Sequence, residues 1–129
     1  MSYGTYKLIH YLGIFLLVVA VAAMLSRAAW GGVTEGGPEG RDPWRGRLGA
    51  LHGVALLLVL VGGFGLLARL GVSHSQLLPG WVFAKLTIWG LLVAMPFIAR
   101  KRPGWAVPAL LLLPLLGALA GALALYKPF

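Results

Sequence analysis

The chain of 129 residues contains no cysteine and only three acidic residues. The missing thiols exclude disulfides, iron–sulfur clusters and thiolate metal sites together, while leaving the compartment open. With carboxylates confined to Glu35, Glu39 and Asp42, nothing pairs two acids for general acid–base work. There is no Ser/His/Asp arrangement, no phosphate-binding loop and no HExxH, so hydrolytic chemistry has no apparatus here.

What remains is apolar. Hydrophobic residues make up 60% of the chain, which places it with membrane proteins rather than soluble domains. The formal net charge of +8 invites a nucleic-acid reading. However, the basic residues cluster between apolar runs, with no basic helix or aromatic platform to use them, so membrane topology explains the charge and nucleic acid is not expected as a partner.

Four runs are long enough to cross about 30 Å of hydrocarbon as helices: about 6–26, 49–70, 81–99 and 105–125. The first could instead be a signal peptide ending near Ser26-Arg27-Ala28-Ala29, but its basic flank holds one lysine and its apolar core is too long, which favours a retained helix. Between the first two runs, Trp30–Leu48 holds six glycines, two prolines, all three acids and three arginines, and reads as a polar loop. Gly71–Pro79 is a short connection, and Arg100–Gly104 is a charged turn. The predicted fold is all-α: one integral membrane four-helix bundle without strands.

Seven Lys and Arg residues flank the first and third connections, against four on the other side. The positive-inside rule then puts those connections in the cytoplasm and both termini on the outer side. Tyr3, Tyr6, Tyr11, Trp81, Trp105 and Tyr126 stand at span ends, as interfacial aromatics do. Gly49/Gly53 and Gly117/Gly121 have GxxxG spacing, Gly62, Gly63 and Gly65 thin the second helix, and Pro96, Pro108 and Pro114 are expected to kink the last two. The fourth run carries no side chain suited to chemistry, so packing is its expected task.

Lys85 is the exception inside these runs. Burying a charged amine at a helix centre costs at least ~2.5–3.5 kcal/mol, so an intramembrane lysine is read first as functional. The rival account is snorkelling: Lys85 lies five residues after Gly80, roughly 7–8 Å along the axis, and its stem could reach the interface beside Trp81. By position alone, snorkelling is the simpler of the two. Helices one and three run in the same direction, and His10 and Lys85 sit near their starts, so the two nitrogen bases share a depth. Across a bundle core they could hold a flat cofactor such as haem axially, with lysine as the neutral amine. Arg69 ends helix two in the same layer and is the candidate partner for haem propionates, with Lys7 and Lys127 behind it. Taken singly, His10 reads as an interfacial histidine on a carbonyl or water, and Arg69 as an anchor.

His52 belongs to the opposite layer and cannot share a haem with His10. It lies level with Met24 and Met95, so a His/Met pair is conceivable, although both methionines suit core packing. His74, beside Ser73, Ser75 and Gln76, reads as solvated or as a replacement ligand.

Four pieces of the chain resemble the small membrane protoporphyrinogen IX oxidase family of the HemJ type. These are Lys7-Leu8-Ile9-His10, Gly63-Phe64-Gly65-Leu66-Leu67, Gly80-Trp81-Val82-Phe83-Ala84-Lys85-Leu86 and Lys127-Pro128-Phe129. The resemblance implies a helical bundle of the bacterial inner membrane, with b-type haem held by His10 and Lys85 and a porphyrin substrate oxidised toward a quinone or other membrane carrier. The chain departs from that family where Leu12–Ala20 lacks the Trp, Tyr and Arg that tend to follow the first-helix histidine, and where Phe83 replaces a histidine. Two further readings are a cofactor-free subunit of a larger membrane complex, or a homo-oligomer, and a small transporter using Lys85 and His10 as a relay.

Overall fold

A computed structural model of the chain describes residues 1–30, 43–72 and 78–129. Its elements are α1 (Tyr3–Ala29), α2 (Pro43–Arg69), α3 (Gly80–Lys101), a 3-10 turn (Pro103–Trp105) and α4 (Ala106–Tyr126), with no strand among the described residues. All four helices are long enough and apolar enough to cross a membrane, the architecture of a multi-pass membrane protein.

Each boundary has a local cause. The Ser2 side chain accepts the Thr5 amide N–H at 3.2 Å, capping α1. The second helix is described from Pro43 onward, and this carries Trp44–Leu48 out of the loop assigned from composition. It ends in a Schellman motif: Gly71 takes φ +74°, and the Val72 and Gly71 amides return to the carbonyls of Leu67 and Ala68. The last helix stops at Lys127, whose left-handed backbone (φ 44°) turns the chain before Pro128.

The helices run up and down alternately, as paired residues demonstrate. On α1 and α2, Tyr6 meets Gly65 and His10 meets Gly62, while on α2 and α3, His52 reaches Leu92 and Trp89 reaches Leu56. Both termini therefore lie at one end of the bundle. The first helix touches the other three and occupies the centre. Its inward face carries His10, Gly13, Leu17, Val21 and Leu25, packing on Ala55, Ile88, Met95, Leu113 and Leu116. Its outward stripe of Leu8, Leu12, Phe15 and Val19 is just as apolar and stays exposed. A helix hydrophobic all round, with one face bare, is matched to hydrocarbon as its solvent.

The glycines divide differently from expectation. A methyl at position 13 would lie 2.7 Å from the Val59 backbone nitrogen, and one at 62 would lie 2.6 Å from that of His10, so each helix gives way where the other approaches. By contrast, Gly49, Gly53, Gly117 and Gly121 have nothing within 4 Å. The GxxxG pairs play no part in packing within the described chain. Pro108 also departs from expectation, because it falls in the first turn of α4, where an amide has no helical partner to lose.

Candidate functional site

His10 is seated almost entirely by α2. Its backbone lies against Gly62, its ring passes over Gly63, where a methyl would stand 3.3 Å from Cε1, and the residue is only 9% exposed. Nδ1 lies 2.8 Å from the Val59 carbonyl oxygen. A carbonyl only accepts, so Nδ1 carries the proton and Nε2 presents a lone pair that has no hydrogen-bond partner among the described residues. Fixing one ring nitrogen on a carbonyl is how proteins orient an imidazole that ligates through the other.

Lys85 faces the same region from α3. It is partly buried, stands toward the same end of the bundle as His10, and has no hydrogen-bond or ion-pair partner among the described residues. Its partial exposure also leaves the stem a route to the bundle end.

The start of α3 is clasped by the C-terminal residues. Trp81 donates its backbone N–H to the Phe129 carbonyl at 3.1 Å, the Phe129 ring fills the space beside Gly80, and the Lys127 ammonium stands 5.8 Å above the Trp81 ring. A side chain at position 80 would begin 2.5 Å from the Phe129 ring and would displace that ring.

Arg69 stands in the expected layer, where its guanidinium donates to the Met1 carbonyl at the surface. Lys7 lies over the Tyr11 ring at 5.7 Å. His10 and Lys85 thus stand toward the same end of the bundle on α1 and α3, while Arg69, Lys7 and Lys127 engage the chain's own groups.

His52 lies toward the other end, 4% exposed, with Nε2 3.1 Å from the Leu92 carbonyl and its ring edge-on to Phe97. Leu92 precedes Pro96 by four residues, so its carbonyl has lost the helical N–H that it would otherwise accept. His52 Nε2–H replaces it, and that nitrogen is committed to structure rather than to a metal. Met95 is buried in the core and Met24 partly buried. His74 lies outside the described residues. Trp89, whose Nε1–H reaches the Leu56 carbonyl at 3.3 Å, ties α3 to α2 between the two layers. It went unnoticed in the sequence because an indole inside an apolar run has no distinguishing spacing.

No group of three His, Cys, Asp or Glu side chains suited to a metal ion occurs among the described residues. A haem would ask for less, two nitrogen donors from the bundle, and the residues that would hold it are His10 through its open Nε2 and Lys85 through its unpartnered amine. Comparison with protein-family models, with curated proteins and with solved structures finds no match.

Proposed function

We propose that this chain is an integral membrane protein that holds b-type haem between His10 and Lys85, near the end of the bundle where both termini lie. One observation carries the reading: Nδ1 of His10 is pinned to Val59, leaving Nε2 free at the end of the bundle where the Lys85 amine also has no partner among the described residues. Haem so held would supply one-electron chemistry, tuned by its two nitrogen ligands and by burial. Further support comes from the way the four family-like pieces gather at one end: His10 on Gly63, Tyr6 on Gly65, Phe129 on Gly80, Lys127 on Trp81.

In the same reading the protein resides in a bacterial inner membrane with its termini outside, because the basic connections favour the cytoplasm. Its activity is oxidation of a porphyrinogen, whose electrons and protons leave through a quinone or similar membrane carrier. A second reading, a cofactor-free subunit of a larger membrane complex or of a homo-oligomer, draws on the open small-residue faces at Gly49/Gly53 and Gly117/Gly121.

A reduced-minus-oxidised spectrum of the detergent-purified protein separates the two. Haem ligation predicts a b-type signal that disappears in His10→Ala and in Lys85→Met and persists in His52→Leu. A colourless wild type from haem-replete cells sinks the haem reading and leaves the subunit.

A further inference from the structure

At the opposite end of the bundle from His10, the corner between α3 and α4 forms a wide, open groove of about 480 Å³ lined by Ile98, Lys101, Arg102 and Trp105. Its origin is local: Pro103 cannot continue α3, and the intervening 3-10 turn sets Trp105 outward, so that Ile98 and Trp105 stand as separate apolar walls with Lys101 and Arg102 at the rim. Ile98 and Trp105 are 51% and 58% exposed, and the apolar surface continues onto the bare flank of α3 and α4 at Phe97, Val107 and Leu111.

The side chains of Lys101 and Arg102 have no hydrogen-bond or ion-pair partner among the described residues. A groove walled by Ile98 and the Trp105 indole, continuous with exposed apolar surface and ending in two cations, suits an amphiphile with an acyl chain and a phosphate head. We propose that this corner is a binding site for a single anionic phospholipid, its phosphate on Lys101 and Arg102 and an acyl chain between Ile98 and Trp105. Basic pockets between membrane helices recognise acidic head groups in this way, and an indole at the interface suits the boundary between head and tail.

The test is native mass spectrometry of the full chain in detergent, titrated with dioleoyl phosphatidylglycerol or dioleoyl phosphatidylcholine, with helicity checked by circular dichroism. The wild type should retain one phosphatidylglycerol in preference to phosphatidylcholine by roughly tenfold or more. The pair Lys101→Gln and Arg102→Gln should bring the two lipids to parity. Ile98→Trp, which fills the groove and leaves every charge in place, should weaken retention of phosphatidylglycerol. Arg45→Gln with Arg47→Gln removes two cations outside the cavity and should change little. Equal retention of both lipids by the wild type overturns the site. So does an equal loss in the Arg45/Arg47 pair, which would mean diffuse attraction, or displacement of the lipid by inorganic phosphate with no effect of Ile98→Trp, which would mean a bare anion site.

Discussion

Single residues govern the closest approaches in this protein. Gly62→Ala should destabilise it by about 1–3 kcal/mol, because the added methyl meets the His10 backbone and cannot be relieved by a rotamer change. Gly117→Ala, facing open space, should be neutral or slightly favourable. Unfolding titrations in mixed micelles compare the two, and equal effects would mean that α1 and α2 are not seated as described. The bond from His52 to the Leu92 carbonyl gives a sharper expectation. His52→Leu should cost about 1–3 kcal/mol by orphaning a buried carbonyl, and much less in a Pro96→Ala background, where the helix supplies its own N–H. Additivity in that double-mutant cycle would refute the assignment. A close reading of Pro96 marks Leu92 as an orphan acceptor, but nothing in the sequence links it to a histidine on another helix. GxxxG spacing likewise names glycines without saying whether the partner lies in the same chain.

At the scale of elements, the four helices were legible because each needs about 20 apolar residues to span, and that length is hard to mistake. The helical state of Trp44–Leu48 was not legible, since Pro43–Leu48 has the composition of a loop. The relation of the C-terminal residues to α3 was equally hidden: Lys127-Pro128-Phe129 looks like a trailing end, yet it supplies the acceptor and the aromatic lid for the first turn of another helix. Gly80→Val should push the Phe129 ring away and release the Trp81 amide. Hydrogen exchange at Trp81 should then accelerate roughly tenfold, the equivalent of one lost hydrogen bond. Unchanged protection there would show that α3 holds its start without the clasp.

For the whole molecule, the absence of cysteine makes every introduced thiol a unique reporter. Leu70→Cys, at the end shared with the termini, should react with a membrane-impermeant maleimide in intact cells, and Gly104→Cys only after permeabilisation. The reverse pattern would invert the proposed orientation. That His10 and Lys85 stand toward one end of the bundle was legible because alternating helices leave few choices. The detail was not, since the seat is made of Val59, Gly62 and Gly63, residues ordinary in any apolar run.

That seat has a consequence for biogenesis. The groups that orient His10 come from α1 and α2 alone, all earlier in the chain than Lys85. The α1–α2 hairpin leaves the ribosome before α3 and thus carries the groups that aim the imidazole, while the lysine arrives later, on the α3–α4 hairpin. In the proposed haem reading, the guest would meet an oriented histidine before its second ligand is made.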